Sequence, residues 1–364
     1  MKVLIIAGGL DTGGLENQIA QLAVRLRSKG HEVDLTCDTR EADYKRFLEN
    51  NGCSILYLPS TRQVGIQSFC RSLASIIRRK KYDVVHSNEL FHSGIVMLVA
   101  KMCGVSKRIA HSHSTRDDAL GNTVLRKLYH AIMRIMLLTC ATDYISCSTM
   151  AGEYLFGKNA AKSSKWHLVF NAIDSSKFLH VLPVQLRKRD GWRYVVHVGR
   201  FVEVKNHDFI IEIARGMKSN GSRICFVLVG DGDLFEKIQN LVQEEALGDY
   251  VMFLGNRKDV PQILQWADAF ILPSIFEGMP LSLIEAQAAG LPSVASSSIT
   301  PEVDFGIGLV HWVSLEDAVE KWMEEIGRAA FEPHAPKATV WSAMQARGFD
   351  LDSYANKIET IYEN

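Results

Sequence analysis

The chain is 364 residues long, which is more than one hydrophobic core usually organises and predicts two domains of ordinary size. Its 47% hydrophobic and 23% charged residues are typical of a soluble globular protein. No apolar run reaches the roughly 18 residues of a membrane span. The apolar start at residues 1–8 is too short for a signal peptide and indicates a first strand.

The seven cysteines are scattered along the chain, and none forms a Cys-x-x-Cys pair. An odd and unpatterned number favours a reducing compartment and speaks against a disulfide framework or a zinc site. We therefore expect a cytoplasmic protein.

The net charge of zero conceals an uneven distribution. Residues 1–171 contain 23 Lys and Arg against 14 Asp and Glu, a net charge of +9, whereas residues 172–364 contain 18 against 27, a net charge of −9. A basic half beside an acidic half points to an anionic partner such as a membrane surface, a lipid pyrophosphate or nucleic acid. Unevenly distributed solvated charge is the alternative. Nucleic acid is the least expected partner, because aromatic stacking residues do not accompany the basic ones.

The first predicted elements are a strand over 3–7, a glycine-rich loop and a helix to about residue 27, the order of a Rossmann-type opening. The dinucleotide pattern Gly-x-Gly-x-x-Gly is absent. Gly13 and Gly14 at the helix start allow a phosphate or an acceptor to approach the backbone closely. The alternative is a tight turn that needs glycine only for its geometry.

Four more strands, over 31–37, 54–58, 82–86 and 107–110, alternate with helical segments, which predicts a doubly wound parallel sheet. Ligands of such sheets bind at the carboxyl ends of the strands. His86 stands at one of these ends and is expected to be structural, while His111-Ser112-His113-Ser114 follows the next strand. A metal site is not expected there, because no carboxylate or cysteine lies at ligand spacing.

The segment 123–140 reads as a helix in which basic residues are mixed with Leu, Ile and Met. Together with the basic run 78–81 it predicts either a basic amphipathic surface for anionic lipid or a partly buried helix with snorkelling Arg and Lys.

The second half carries its charged groups on loops after predicted strands. Arg200 and Lys205 follow the strand 194–199, and a planar guanidinium beside an ammonium suits a diphosphate. After the strand 224–229 comes Gly230-Asp231-Gly232-Asp233. Its Asp-x-Asp invites a metal-binding interpretation, which the glycine turn and the two βα domains argue against.

Residues 268–292 read as a buried strand, a glycine turn and a helix, with Pro280 suited to the first helical position. The free N–H groups of such a helix start attract anions and sugar oxygens. Glu277 and Glu285 flank it. Three interpretations are open for this pair. The two carboxylates could act as general acid and base, or each could accept hydrogen bonds from a diol of a nucleotide sugar. Alternatively, the first complements the helix dipole and the second is a solvated helix glutamate.

The pattern Glu-Gly-x-Pro then Glu-Ala-x-Ala-x-Gly-x-Pro, preceded by Arg200 and Lys205, closely resembles the donor-site signature of retaining family-4 glycosyltransferases. The resemblance covers essentially the whole chain and implies an α/β fold of GT-B type, with two Rossmann-like doubly wound domains facing a central cleft. The implied acceptor domain is 1–171, the nucleotide-sugar domain is 172–348, and a helix at about 349–364 packs back on the first domain.

By the same resemblance, four residues are catalytic candidates: His113 (with His111 as the register alternative), Arg200, Lys205 and Glu277. In the family the first glutamate orients the donor sugar and the second binds the ribose. The implied donor-binding residues are Gly13, Gly14, Gly199, Gly230, Gly232, Asn256, Arg257, Lys258, Gly278, Met279, Pro280, Leu281 and Glu285. Asn206 stands where the family usually has glycine, a departure not expected to alter the charge of Lys205.

The resemblance is strongest to capsular and exopolysaccharide transferases. It implies metal-independent transfer, with retention, of a hexose-type sugar from a nucleotide donor, with UDP expected, to a glycan or lipid-linked acceptor. No metal or cofactor is expected, and neither is nucleic acid. A cytoplasmic enzyme resting on the inner membrane face through its basic first domain is the expected location. The alternatives are a nucleotide-sugar epimerase or phosphorylase of similar architecture, or a non-catalytic sugar-nucleotide-binding protein.

Overall fold

The computed structural model describes residues 1–11, 13–39, 41–115, 123–179 and 181–364. The chain divides into two compact units, residues 1–172 with 351–364 and residues 173–350. Each unit is an α/β structure with its own sheet, and every strand pairing in both sheets is parallel. The predicted pair of doubly wound domains is therefore confirmed as a fold class.

The first sheet has seven strands in the order β3-β2-β1-β4-β5-β6-β7. The strands are β1 (Lys2–Ile6), β2 (Glu32–Cys37), β3 (Ser54–Tyr57), β4 (Val84–Ser87), β5 (Lys107–Ser112), β6 (Asp143–Ser146) and β7 (Trp166–Leu168). The helices between them are α1 (Gly14–Ser28), α2 (Lys45–Asn50), α3 (Thr61–Lys80), α4 (Ser93–Met102), α5 (Val124–Cys140) and α6 (Thr149–Phe156).

Strand β1 is buried on both faces, which explains its unbroken apolar sequence. Val3 and Ile5 belong to the core under α1, whereas Leu4 and Ile6 point to the opposite core under α3, α4 and α5. Successive side chains of a strand alternate between the faces of the sheet, so a strand between two helical layers must be apolar throughout.

The second sheet has six strands in the order β10-β9-β8-β11-β12-β13. These are β8 (Arg193–Val198), β9 (Ile224–Val229), β10 (Val251–Gly255), β11 (Ala269–Leu272), β12 (Ser293–Ser296) and β13 (Val310–Val313). Its helices are α7 (Ser176–Leu179), α8 (His207–Ser219), α9 (Phe235–Glu244), α10 (Val260–Trp266), α11 (Leu281–Ala288), α12 (Val319–Ala329) and α13 (Lys337–Arg347). Strands β8 and β11 are neighbours although about 70 residues separate them in sequence, so their carboxyl ends lie side by side.

The last helix, α14 (Leu351–Glu363), belongs to the first unit and packs beside α1. Glu359 of α14 accepts from Lys29 Nζ at 2.6 Å and pairs with His31 Nε2 at 2.7 Å. Tyr354 and Ile358 enter the apolar core under α1. The chain thus leaves the first unit at residue 172 and returns to it at residue 351, and the predicted boundary between residues 171 and 172 lies one residue before the observed one.

Sequence reasoning did not predict β7, β13, α7, α8, α10 and α13, and for β7 and α13 the local signals are weak. Strand β7 is a three-residue edge strand that is only half-buried. Helix α13 buries only Val340 and Met344, too few positions to give a clear helical period. One placement was wrong by a residue: α11 begins at Leu281, and Pro280 is its N-cap in extended conformation (φ −73°, ψ 110°). Among the described residues, no helix has both the length and the apolar character needed to cross a bilayer.

Candidate active site

Two loops at the carboxyl ends of the neighbouring strands β8 and β11 form the centre of the candidate site in the second unit. They comprise residues 199–206 and 273–280. Ile275 N–H donates to Val204 O at 2.9 Å, and Asn206 Nδ2 donates to Pro273 O at 3.2 Å. These two bonds fix one loop against the other, so the charged side chains on them are held at a defined separation.

Lys205 and Glu277 meet across these loops. Lys205 Nζ lies 2.5 Å from Glu277 Oε1, and each side chain is only 16% exposed. The sequence assigned the lysine to a diphosphate and the glutamate to a sugar, and the structure joins the two in one partly buried ion pair. A charge removed from water to this degree depends on its partner, so removing either residue leaves the other uncompensated.

Gly199 makes room for the lysine. A Cβ at this position would lie 3.3 Å from Cδ and Cε of Lys205 and 3.1 Å from Nε2 of the buried His197. The aliphatic stem of Lys205 therefore passes over the backbone of Gly199. Arg200, the next residue, is exposed, and its guanidinium can reach an anion from solvent.

A third loop, 230–234, packs backbone to backbone on the first. Gly230 has φ +140° and Gly232 has φ +153°, which L side chains rarely adopt. A Cβ at residue 230 would overlap the carbonyl oxygen of Gly199, and one at residue 232 would lie 2.8 Å from Phe201 N and O. Phe201 N–H in turn donates to Asp231 O at 2.9 Å. These glycines thus position the loop of Arg200 and Lys205, a role that the sequence analysis did not assign.

One carboxylate of the Asp-x-Asp in this loop makes a local hydrogen bond. Asp231 Oδ1 accepts from Gly232 N–H at 2.7 Å. Within the described ranges of the chain, no group of three or more His, Cys, Asp or Glu side chains is placed to hold a metal ion.

The departure at Asn206 has a conformational explanation. This residue is left-handed (φ 58°, ψ 47°) and precedes α8. Asparagine tolerates this region better than most other residues with a side chain, which explains why it can stand at a position where the family usually has glycine.

The turn before α11 holds the remaining residues of the predicted glutamate motif. Met279 is buried and Leu281 opens the helix. Leu283 and Ile284 N–H donate to Pro280 O at 3.2 and 3.3 Å, so the N–H groups left without an intrahelical partner are those of Leu281 and Ser282. Glu285 lies further along α11, where burial raises the pKa of its carboxyl to about 7, opposed by the positive charge of Lys177. Glu285 is thus partly protonated near neutral pH, which the sequence did not predict.

The loop after β10 offers fewer free side chains than its sequence suggests. Asn256 and Lys258 are exposed. The guanidinium of Arg257 makes a bidentate pair with Asp259, at 2.7 Å from Nε to Oδ1 and 2.6 Å from Nη2 to Oδ2. Any contact of Arg257 with a base would therefore come from its main chain or at the cost of this pair.

In the first unit, His113 lies just beyond β5 between two amide side chains. Its Nε2 is 2.9 Å from Asn88 Oδ1 and its Nδ1 is 3.3 Å from Asn171 Oδ1. Burial lowers the pKa of His113 to about 4, so the ring is neutral at physiological pH. Asn88 and Asn171 were not predicted as site residues. Asn88 directly follows strand β4, and Asn171 lies just before the boundary of the two units, and these positions were the signals that the sequence offered.

A chain of buried rings continues behind His113. Its ring contacts that of His111 at 3.8 Å between centroids, with the two planes tilted by 33°. His111 Nδ1 is 3.1 Å from His86 Nε2, and His86 Nδ1 is 2.7 Å from the hydroxyl of Tyr362 in α14. Burial lowers the pKa of His86 to about 3 and that of His111 well below its usual value. If the Tyr362 hydroxyl donates to His86 Nδ1, the proton of neutral His86 is on Nε2 and is donated to Nδ1 of His111. Both hydrogen bonds are then made with neutral rings.

The Tyr362 hydroxyl should therefore matter for stability. Tyr362→Phe leaves His86 Nδ1 buried without its partner, and we expect the free energy of unfolding to fall by about 1–3 kcal/mol. Thermal and urea unfolding measure this change. Tyr250→Phe, which removes the hydroxyl of a partly exposed tyrosine in the second unit, is the matched control and should stay within about 0.5 kcal/mol of the wild type. Equal stability of the two variants would show that this bond contributes nothing.

At the start of the first unit, Gly13 is the N-cap of α1 in extended conformation (φ −169°), and Gly14 is the first helical residue. The carboxylate of Glu16 folds back over Gly13 so closely that a Cβ there would overlap it. The helix start is thus occupied by its own acidic residue, which an anionic ligand would have to displace. Thr12, which precedes Gly13 in the glycine-rich loop, lies outside the described residues.

The comparisons with known proteins agree with this architecture. The chain matches the family models "Glycosyl transferase 4-like domain" over residues 13–172 and "Glycosyl transferases group 1" over residues 181–305. The putative glycosyltransferase EpsF of Bacillus subtilis (strain 168) is 31% identical over 369 residues, 99% of this chain and 96% of EpsF. The Escherichia coli UDP-Gal:alpha-D-GlcNAc-diphosphoundecaprenol alpha-1,3-galactosyltransferase is 29% identical over 238 residues, 62% of this chain and 60% of that enzyme. HepE of Anabaena, solved in complex with UDP and glucose, has a TM-score of 0.79 at 16% identity, covering 100% of both chains.

Two parallel α/β units of this topology, together with the likeness to HepE, give the chain a GT-B fold, and the predicted fold class is confirmed. The match along nearly its whole length to EpsF, together with the two family models, goes further. The chain belongs to the group 1, family-4-like glycosyltransferases, and it is a transferase enzyme.

Proposed function

We propose that this enzyme transfers a hexose from a UDP-sugar, with retention at the anomeric carbon, to a glycan or lipid-linked acceptor in capsular or exopolysaccharide synthesis. The observation that carries the proposal is the Lys205–Glu277 pair at the adjoining ends of β8 and β11, beside Arg200 and the start of α11. One cation and one anion held together at this place suit a substrate that has both an anionic diphosphate and a neutral polyol.

The leaving diphosphate is proposed to bind to the positive groups of this site. Lys205 and Arg200 neutralise the charge that develops as the glycosidic bond to the diphosphate breaks, and the N–H groups at the start of α11 add their dipole. Fixed donors that need not reorganise are usually the largest source of catalysis in such a step. We therefore propose a metal-independent reaction in which these side chains supply the electrostatic stabilisation.

The two glutamates are proposed to bind hydroxyls rather than to react. Glu277 is held by Lys205, which leaves its second carboxylate oxygen to orient the donor sugar. Glu285 is proposed to accept from the ribose hydroxyls. His113, neutral and fixed by two amides, is proposed to act on the donor sugar near the reacting carbon, as the family pattern implies.

The donor and acceptor proposals draw on the relatives. The galactosyltransferase of E. coli is named for a UDP-sugar and a diphosphoundecaprenol-linked acceptor, and HepE was solved with UDP. The segments 277–303 and 111–113 resemble capsular and exopolysaccharide transferases. A UDP-hexose and a lipid diphosphate at the cytoplasmic membrane face are therefore the first substrates to test.

The raised pKa of Glu285 gives donor binding a pH dependence. A carboxyl with a pKa of about 7 becomes ionised as the pH rises from 6 to 8, and only the ionised form accepts from both ribose hydroxyls. We expect UDP affinity to increase by up to about tenfold over this range. Calorimetric titration measures it. Glu285→Gln should bind UDP more weakly, and its UDP affinity should not change with pH once the titration of UDP itself, which is common to both proteins, is subtracted. If the affinity of the variant rises with pH in parallel with that of the wild type, the assignment is refuted.

The deciding experiment is a donor and acceptor screen with product analysis. The pure enzyme is incubated with a panel of UDP- and GDP-hexoses and an undecaprenyl or short-chain polyprenyl diphosphate sugar, and the product linkage is read by NMR. An axial linkage from an α-configured donor supports retaining transfer, and an equatorial one contradicts it. Interconversion of the nucleotide sugar without acceptor would favour the epimerase alternative, and UDP binding without turnover of any donor would favour a binding protein.

A further inference from the structure

Helix α5 presents an apolar face to solvent. Five of its side chains, spaced at i, i+1, i+4, i+8 and i+11, fall within an arc of roughly 100° and are 83, 79, 56, 45 and 63% exposed: Val124, Leu125, Leu128, Ile132 and Ile135. The opposite side of the helix is also apolar and enters the core through Met133, Leu137 and Cys140. An ordinary surface helix has a polar outer face, so an apolar one indicates a surface that is covered in use.

The three helices of the layer that contains this face carry charge of one sign. Helices α3, α4 and α5 form one layer on the sheet, and α4 approaches α5 so closely that a Cβ at Gly94 would overlap Met133 O. In the 47 residues of these three helices there are nine Lys and Arg and no Asp or Glu. The helices packed on the opposite face of the sheet, α1 and α14, carry charges of both signs: Glu16, Asp352, Glu359 and Glu363 against Arg25, Arg27 and Lys357. The excess positive charge of the first half is thus concentrated where the apolar face lies.

A groove between α3 and α4 belongs to the same layer. It has a volume of about 670 Å³ and is lined by apolar side chains, among them Ala74, Val99 and Met102, and by Arg71, Arg78 and Arg79. Met102 is itself 72% exposed. Guanidinium groups beside apolar side chains suit the phosphate and the first methylenes of a lipid.

We propose that this layer is a membrane-docking surface, in which the exposed face of α5 lies in the headgroup region of an anionic bilayer and the arginines of the α3–α4 groove bind lipid phosphates. A helix with apolar residues on its outer face and basic residues beside them binds in the plane of the interface. Each basic group near an anionic surface adds attraction that salt weakens.

A second copy of the chain fits this surface less well than lipid does. A two-fold interface would place α5 against α5 and bring two layers rich in Lys and Arg together without acidic residues between them. Anionic lipid, in contrast, complements both the apolar arc and the surrounding charge.

The inference deepens the proposed function, because a lipid-linked acceptor would be reached from the membrane surface. Binding to vesicles is measured without substrate, and donor turnover is measured without vesicles. A failure of membrane docking is therefore distinguishable from a failure of the glycosyltransferase assignment.

The test is sedimentation of the full chain with vesicles of phosphatidylcholine alone or with 30 mol% phosphatidylglycerol, at about 0.1 M and 0.5 M salt. We expect at least tenfold stronger partitioning to the anionic vesicles at low salt, and weaker partitioning at high salt. The double variant Leu128→Gln, Ile135→Gln should lose at least about tenfold in partitioning. Arg78→Glu with Arg79→Glu should lose the preference for anionic lipid.

The matched control is Leu182→Gln with Phe331→Gln, which changes two side chains of the second unit that are 81 and 68% exposed. It should bind vesicles like the wild type, and unfolding curves verify that all variants are folded. Equal partitioning to both vesicle types, or unchanged binding by the α5 double variant, would overturn the proposal. So would sedimentation velocity showing a lipid-free dimer that the α5 variant dissociates, since a second copy would then cover the surface.

Discussion

Replacing Lys205 with alanine is expected to lower kcat by about 10²–10³ while KM for the donor changes much less, the range found when one preorganised donor to a developing charge is removed. The proposed role of Lys205 is to stabilise the departing diphosphate, whose charge grows in the transition state. In the ground state the donor remains bound through Glu277 at the transferred sugar and through Glu285 at the ribose. Steady-state kinetics with the best donor of the screen measure both constants.

The variant also tests whether Lys205 merely supports Glu277. If the lysine only neutralised this carboxylate, its loss would weaken donor binding and stability and leave kcat within a few-fold of wild type, which would contradict the diphosphate role. Arg200→Ala should also lower kcat. Unlike the loss of Lys205, it should leave the free energy of unfolding unchanged, because Arg200 is exposed. Lys237→Ala removes an exposed lysine paired with Asp208 and is the matched control.

Replacing Gly230 with alanine should unfold or severely destabilise the second unit, by more than about 4 kcal/mol. Two effects combine: φ of +140° is strained for alanine, and the new Cβ would overlap the carbonyl oxygen of Gly199. The atoms that the new Cβ would meet belong to the backbone of residues 199 and 200, so no side-chain movement can relieve the overlap. Urea unfolding followed by tryptophan fluorescence suits this measurement, since five of the six tryptophans lie in residues 173–350.

Two other glycines of the same unit separate these effects. Gly255 has φ +64° but open space around it, so Gly255→Ala should lose only about 1–2 kcal/mol. Gly248 has neither a positive φ nor a neighbour within 4 Å, and Gly248→Ala should be within about 0.5 kcal/mol of wild type. A loss at position 230 no larger than that at 255 would show that the loops shift apart readily. The packing of 230–234 on 199–206 would then not position Lys205.

Much of the fold could be predicted from sequence because the signals are local. The alternation of buried strands with helices, such as Ile224–Val229 before Phe235–Glu244, follows from runs of apolar residues ended by glycine turns. Elements with little burial, such as β7 and α13, lack that signal and were missed. The sequence marks Gly230 and Gly232 as turn glycines. It does not show that they support another loop, because that contact joins the loops after two different strands, β8 and β9.

The sequence by itself determined the fold class, the strand ends that bear charge and the glycosyltransferase motif, because each depends on residues close together in the chain. Only the tertiary structure decided that Lys205 and Glu277 neutralise each other, that burial brings the pKa of Glu285 to about 7, and that His113 is backed by rings reaching to Tyr362. It also decided that α5 is apolar on its outer face as well as its inner one. Solvent exposure and the meeting of residues as far apart as 86 and 362 depend on how helices and strands pack, which no local pattern of residues specifies.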